Sequence, residues 1–155
     1  MAHIKKPPDK VAKLIKDGAI IKLNLGSTEE GFININNRAG TGVDIVHDVL
    51  FLPFPLPSEC ASLVMARNIV EKIEPTRFIE WMDECWRVLK YEGQLLLSTP
   101  YGGSTEWWAD PTNVNGVNPK TWSFFDPLAP GSQYALYKPK PWKVLNCYFQ
   151  VNGKM

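Results

Sequence analysis

The stretch KLNLGSTEEGFININ, residues 22–36, constrains the fold of this chain more than any other part of it. Apolar residues alternate up to Gly26, a short polar turn follows, and a second alternating apolar run begins at Phe32. This pattern predicts a strand, a glycine-containing loop and a second strand. Loops that cradle nucleotide-type cofactors usually carry three glycines, whereas this one holds only Gly26 and Gly31. Two interpretations stay open: a loop that approaches a ligand, and a plain tight turn after a buried strand.

Two helices are predicted from caps and apolar spacing. The first covers residues 10–16, with Asp9 as its N-cap and Gly18 as its end. The second begins at Pro75 or Thr76 and ends at Glu92–Gly93, because apolar residues recur between them at helical spacing.

Short apolar runs predict the strands of one sheet. They cover residues 19–25, 32–35, 42–48, 62–66, 94–100 and 143–151. Alternate prolines in LFLPFPLPSE exclude a regular helix or a central strand there, so this stretch is expected to be an extended loop. Short strands between helical or crossing segments predict an α/β fold with a mostly parallel sheet.

At 155 residues the chain is expected to form one domain. Residues 1–8 are expected to be a flexible lead-in, and residues 101–142 an aromatic-rich lid or insertion. The tryptophans and phenylalanines of that segment follow no period. They either shape a substrate slot or cover an open sheet face, and the Trp-rich segment is also a candidate surface for a protein partner or for self-association.

Composition excludes several classes of function. A formal net charge of +1 argues against a broad nucleic-acid surface. The sequence has no apolar stretch near the ~20 residues that span a bilayer, and no signal peptide. Three widely spaced cysteines and two histidines form no disulfide framework or metal-ligand pattern, so no metal is expected. These features favour a cytoplasmic protein without a membrane partner.

Several pieces of the chain, taken in order, resemble the small class I S-adenosylmethionine-dependent methyltransferases. The resemblance is to the methyltransferase-11-like branch, which includes short, often phage-encoded members. The pieces are LNLGS, GFININ, VDIVHDVLFLPF, SLVMARNIVEKI, ECWRVLKYEGQLLLSTP, WWADPTNVN and FFDP. Together they cover nearly everything from Lys22 to Pro127. The resemblance implies a Rossmann-like, doubly wound, mostly parallel sheet, in a minimal and C-terminally truncated form, and the host cytoplasm for a phage-encoded member.

The resemblance also implies a site for S-adenosylmethionine at the carboxyl ends of the strands. By the family pattern, Gly26 and Ser27 approach the methionine part of the cofactor. Asn36 occupies the place of the acid that binds the ribose, and Asp48 and Val49 lie against the adenine. In such sheets a ligand sits near the point where the strand order reverses, which agrees with these positions.

Three polar residues are candidates for a role in catalysis. Asn68 follows the fourth strand, where the family pattern places it against both the cofactor and the transferring methyl group. Glu71 is a possible polar partner of Asn68, or a surface residue of a helix. Asp110, in the sequence WWADPT, is a candidate base or substrate ligand, or an ordinary Asp-Pro turn residue.

The chain departs from the family pattern at several of these positions. Thr28 replaces a glycine of the loop, and Asn36 replaces an acid, which removes a charge-assisted hydrogen bond worth about 1–3 kcal/mol. Lys72 and Asn113 stand where the pattern has histidines. These changes favour a weakened or lost chemistry.

Two main hypotheses follow for the function. The first is a methyltransferase that acts on a small molecule or a protein side chain. The second is a catalytically degenerate methyltransferase-like domain with a binding, structural or assembly role. A different cofactor-using enzyme on the same sheet is a third, more distant alternative. DNA methylation is disfavoured because the chain lacks the Asn-Pro-Pro-Tyr, Asp-Pro-Pro-Tyr and Pro-Cys motifs.

Overall fold

Parallel strands form the centre of the protein. The computed structural model describes residues 6–148. Its strands are β1 (Lys22–Leu25), β2 (Ile33–Asn36), β3 (Ile45–Val46), β4 (Ala61–Arg67) and β5 (Leu89–Ser98). They pair in the order β3-β2-β1-β4-β5, and every pair is parallel. The order reverses between β1 and β4, as in Rossmann-like doubly wound sheets, so the predicted fold class is confirmed.

Three α-helices accompany the sheet in the described residues, α1 (Asp9–Lys16), α2 (Phe78–Val88) and α3 (Thr105–Ala109). One hydrophobic core joins the sheet to α1 and α2. Leu23 and Leu25 of β1 are buried in it, together with Trp81 of α2 and Val11 of α1. Burial of each such aliphatic side chain contributes about 1.5–3 kcal/mol to the stability of the fold.

The connection between β1 and β2 contains no helix and is held by hydrogen bonds of polar side chains. The connection of residues 26–32 is a turn, and it folds onto the face of the sheet that carries Asn24 and Asn34. Asn34 accepts a hydrogen bond from the Glu29 N–H at 2.9 Å, and its amide donates to the Glu29 carbonyl at 3.1 Å and to the Gly42 carbonyl at 2.9 Å. Both asparagines are buried, and these bonds offset the loss of hydration that burial imposes.

The termini of both predicted helices need correction. Asp9 is not an N-cap but the first helical residue, because Pro8 precedes the helix with an extended backbone and its carbonyl accepts the Ala12 N–H. The second helix ends at Val88 and not at Glu92–Gly93, because Leu89 already pairs with Ala61 of β4. Glu92 and Gly93 lie in an irregularity of β5, where the register shifts.

The predicted strand over residues 143–151 is wrong for residues 143–148, which form no regular structure. This stretch is held from Trp142, whose N–H donates to Phe125, and from Val144, whose N–H donates to Asp126. Residues 149–151 lie outside the described residues. The strands predicted over residues 19–25 and 42–48 are shorter in the structure, at Lys22–Leu25 and Ile45–Val46.

Part of the aromatic segment packs on α2. The rings of Trp122 and Phe125 meet Phe78 edge-on, with centroids at 6.3 and 5.4 Å. They contact the start of α2 and belong to, or pack against, the hydrophobic core, while the expectation that they cover an open sheet face stays a prediction. Trp107 and Trp108 instead contact each other, and Trp108 is 73% exposed.

Candidate functional site

A cavity of about 130 Å³ opens beside the carboxyl ends of β1 and β2. Four of the residues predicted to contact a cofactor line it, namely Gly26, Asn36, Asp48 and Val49. Its other lining residues are Asn37, Leu50, Ile69 and Lys72. The strand order reverses next to β1, and this is where ligands bind in open parallel sheets. The structure therefore brings most of the predicted cofactor residues together at the expected end of the sheet.

A second, larger cavity of about 230 Å³ lies at the opposite edge, between α1 and the amino ends of β1 and β2. Its lining is mainly aliphatic, and its charged groups include Lys10 and Asp44, which pair with each other at 3.1 Å. We assign the functional site to the smaller cavity, because ligands of such sheets bind at the carboxyl ends of the strands.

Gly26 and Asn36 form the floor of the smaller cavity. Gly26 has φ +84°, a backbone conformation that glycine adopts without strain, and a Cβ at this position would meet the side chain of Ile69. The Asn36 amide donates to the Gly26 carbonyl at 3.1 Å, and its oxygen accepts the Arg38 N–H at 3.2 Å. A carboxylate at position 36 has no proton for the Gly26 carbonyl, so asparagine ties β2 to the loop in a way that the family's acid does not.

Residues 48–50 form one wall of the cavity, and hydrogen bonds from Trp81 of α2 and from Arg77, immediately before α2, hold them in place. The buried indole of Trp81 donates to the Val49 carbonyl at 3.0 Å, and the Arg77 guanidinium donates to the Leu50 carbonyl at 3.3 Å. Asp48 turns the chain into this wall, because its Oδ1 accepts the Leu50 N–H at 2.9 Å. Its Oδ2 accepts no hydrogen bond from residues 6–148 and is available to a ligand.

Ser27 and Asn68 do not line the cavity. Ser27 is bound to the buried Asn24, whose amide donates to the Ser27 hydroxyl at 3.1 Å. Asn68 is exposed and has φ +54°, and its N–H donates to the Ser98 carbonyl at 2.8 Å. Asn68 thus turns the chain at the end of β4, and its predicted contact with a cofactor stays a prediction.

The alternative interpretation of Glu71 as a surface residue is wrong, since Glu71 is only 2% exposed. Its Oε2 accepts the Thr99 hydroxyl at 3.0 Å, and its backbone carbonyl accepts the N–H groups of Val114 and Asn115 at 2.8 and 3.1 Å. Glu71 therefore joins the turn after β4 to the segment that follows β5. Its predicted part in catalysis stays a prediction.

Asp110 forms an ion pair with Lys72, an interaction that sequence reasoning missed. The Lys72 ammonium donates to Asp110 Oδ2 at 2.6 Å, while the Thr112 N–H and hydroxyl both donate to Asp110 Oδ1. The hydrogen bond from Lys72 and those from Thr112 hold the pKa of Asp110 well below its usual range. A carboxylate with so low a pKa is a poor general base near neutral pH.

Sequence reasoning also missed Ile69 as a lining residue. The available signal was its position, immediately after Asn68 at the carboxyl end of β4. An apolar side chain there shows no chemistry in the sequence. Only the tertiary contact with Gly26 reveals that it shapes the cavity.

Within residues 6–148, no helix is long and apolar enough to cross a membrane. The same part of the chain has no group of three His, Cys, Asp or Glu side chains arranged to hold a metal ion.

Comparison with known proteins is informative for solved structures only. No protein-family model matches the chain, and no curated protein matches it. Among solved structures, the chain is similar to an S-adenosylmethionine-dependent methyltransferase from Archaeoglobus fulgidus, with a TM-score of 0.58 and 22% sequence identity over 74% of this chain. The match covers 64% of the length of that protein's chain. This likeness shows that the chain has the class I methyltransferase fold.

Proposed function

We propose that this protein is an S-adenosylmethionine-dependent methyltransferase that binds the adenosyl group of its cofactor in the cavity beside β1 and β2. The acceptor of the methyl group is a small molecule or a protein side chain. One observation carries this proposal: Gly26, Asn36, Asp48 and Val49 converge on one cavity in a sheet with the methyltransferase fold. S-adenosylmethionine supplies an already activated methyl group, and the protein has to align the acceptor with it.

The residues of the cavity fit the adenosine part of the cofactor. Val49 and Leu50 supply apolar walls of the kind that enclose an adenine. Asp48 Oδ2 is available to accept hydrogen bonds. The oxygen of Asn36 accepts one N–H and retains a second lone pair for a ribose hydroxyl.

The methionine part fits only after one side chain moves. The cavity, at about 130 Å³, is smaller than the range of about 300–1,000 Å³ that is usual for ligand sites. Ile69 fills the space beside Gly26 that a close ligand needs. The obstructing atoms are the end of a flexible side chain, so displacing them costs about 0.5–1.5 kcal/mol if it requires an off-rotamer torsion.

The carboxylates around the cavity are not placed to act as a general base. We therefore expect a methyl acceptor that is nucleophilic without transferring a proton to the protein. Among its lining residues Asp48 is the only carboxylate, and our assignment places it on the adenine side. Asp110 is held by Lys72, and Glu71 is buried against Thr99. Because Asp110 and Glu71 are engaged in these structural contacts, we expect the protein to contribute mainly by aligning the acceptor.

A second candidate function is a catalytically degenerate domain that binds a partner through the Trp-rich segment 101–142. Three observations favour it. Ile69 lies on Gly26, and the Asn36 amide is engaged with the Gly26 carbonyl. Trp108, at 73% exposure, offers a contact surface for such a partner.

Calorimetric titration with S-adenosylmethionine and S-adenosylhomocysteine tests the proposed function. We expect micromolar binding that an Asp48→Ala variant loses. Asp17→Ala is the matched control, because Asp17 is exposed at the end of α1 and lies away from the cavity. No binding of either ligand up to millimolar concentration by the folded protein would contradict the enzyme and favour the degenerate domain.

An Ile69→Ala variant separates the two ends of the cofactor. If Ile69 obstructs the methionine part, its removal raises the affinity for S-adenosylhomocysteine by roughly 2- to 10-fold, which corresponds to about 0.5–1.5 kcal/mol. The affinity for adenosine alone stays the same, since adenosine does not reach Gly26. An equal change for both ligands would show that Ile69 does not define the methionine end. Val144→Ala, at an exposed position, controls for the loss of an aliphatic side chain.

A further inference from the structure

Lys72 has a set of contacts that the proposed function does not yet use. Its ammonium donates to Asp110 Oδ2 at 2.6 Å, to the Thr112 hydroxyl at 2.6 Å and to Asn113 Oδ1 at 2.8 Å. A lysine ammonium has three N–H donors, so all of them are used within one four-residue turn. The Lys72 side chain is only 25% exposed and also lines the cavity. The turn of residues 110–113 is therefore wrapped around a cation at the rim of the site.

The same short stretch of backbone holds the segment at a second point. The Glu71 carbonyl accepts the N–H groups of Val114 and Asn115, and the Asn115 amide donates to the Val70 carbonyl at 3.2 Å. Together with Lys72, these contacts attach residues 110–115 to the turn that follows β4. That turn begins next to Ile69, which lies against Gly26 in the cavity.

The contacts extend from this turn to the half-buried Trp107 and the exposed Trp108. The Asn113 amide, whose oxygen is bound by Lys72, donates to the Trp107 carbonyl at 2.7 Å. The Trp107 indole donates to the Asn115 carbonyl at 3.2 Å, and its ring meets that of Trp108 edge-on at 4.7 Å. The position of the tryptophan pair thus depends on a chain of hydrogen bonds that starts at Lys72.

We propose that Lys72, which lines the cavity, is a positioning residue that seats residues 105–115 beside it, where they form a wall for the methyl acceptor. This role rests on the proposed function, because an acceptor wall has a purpose only if the cavity holds a methyl donor. Lys72 and Asn113 are two positions at which the chain departs from the family pattern, and they contact each other at 2.8 Å. Lys72 therefore has a structural partner in this fold, while the expectation that its chemistry is weakened stays a prediction.

Hydrogen–deuterium exchange of the ligand-free protein tests the contact. A Lys72→Met variant keeps the aliphatic stem and removes the ammonium, and we expect amide exchange in residues 105–115 to rise about tenfold or more while exchange in β1 and β4 stays unchanged. Lys16→Met is the control, because Lys16 is exposed at the end of α1. Asp110→Asn weakens the same contact from the other side, so the test survives if Lys72→Met fails to fold. Unchanged exchange in residues 105–115 in a folded variant would overturn the proposal.

Addition of S-adenosylhomocysteine distinguishes a positioning role from a merely structural one. We expect bound ligand to lower the exchange of residues 105–115 in the wild type, to leave it high in Lys72→Met, and to be partly effective in Lys72→Arg, which retains the charge for Asp110. Binding without any change in this segment would overturn the wall and leave the proposed function intact. No binding to the wild type would instead refute the proposed function, and the wall with it, whatever the exchange of the ligand-free proteins shows.

Discussion

Replacement of Gly26 by alanine tests what this glycine does in the folded protein. Gly26 has φ +84°, and forcing alanine into the left-handed region costs about 1–2 kcal/mol. The new Cβ also meets the end of the Ile69 side chain, and moving that side chain off its rotamer adds about 0.5–1.5 kcal/mol. We therefore expect Gly26→Ala to lower the free energy of unfolding by about 1.5–3.5 kcal/mol, with backbone strain as the larger part.

Gly18 provides a matched control for the strain alone. It has φ +74°, close to that of Gly26, but a Cβ there would meet no atom within 4 Å. Gly18→Ala should therefore cost only the strain of about 1–2 kcal/mol. The difference between the two variants, about 0.5–1.5 kcal/mol, measures the contact with Ile69. In an Ile69→Ala background, Gly26→Ala should therefore cost only the backbone strain, as Gly18→Ala does.

Urea denaturation followed by tryptophan fluorescence measures these free energies, and thermal unfolding checks them. For a chain of this size, each 1 kcal/mol lowers the melting temperature by roughly 2–4 °C. Equal destabilisation by Gly26→Ala and Gly18→Ala would refute the contact with Ile69. That result would also remove the reason to expect tighter cofactor binding by Ile69→Ala.

Two further predictions concern titratable groups. Burial raises the pKa of the Cys60 and Cys85 thiols, whereas Cys147 is exposed. In the native protein, iodoacetamide should therefore alkylate Cys147 quickly and the other two cysteines only on unfolding. Equal rates of alkylation for all three thiols would contradict the described core. The hydrogen bond from Lys72 lowers the pKa of Asp110 below its value in the unfolded chain, so this pair stabilises the fold fully above about pH 4 and progressively less as the pH falls further. The difference in unfolding free energy between the wild type and Lys72→Met, measured in urea at several pH values, should shrink in that acidic range; a difference that is constant with pH would contradict it.

The sheet could be predicted because its central strands β1, β2 and β4 are largely buried. A buried parallel strand is written as a short apolar run, and the runs at β1, β2, β4 and β5 are each bounded by polar or turn residues. The ends of elements were less predictable. Glu92–Gly93 has the composition of a helix stop, yet α2 ends earlier, because hydrogen bonds to β4 outweigh the local turn preference.

The burial of Glu71 was also not predictable from the local sequence. A glutamate beside a lysine is usually exposed. In this protein the Glu71 carbonyl is used by Val114 and Asn115, and its carboxylate by Thr99, from segments far away in the chain. Only the return of the chain after β5 creates the environment that buries it.

The sequence by itself determined the sheet, the end of it at which the cavity lies, and four of the residues that line this cavity. The strands follow from apolar periodicity, which is a local property, whereas the four lining residues were implied by the order of motifs that resemble those of the methyltransferases. Tertiary structure decided the shape of the cavity, through Ile69 on Gly26, and the seat of the turn at residues 110–113 around Lys72. Such contacts join residues more than 35 positions apart in the chain, and no local pattern specifies which distant side chain fills a given space.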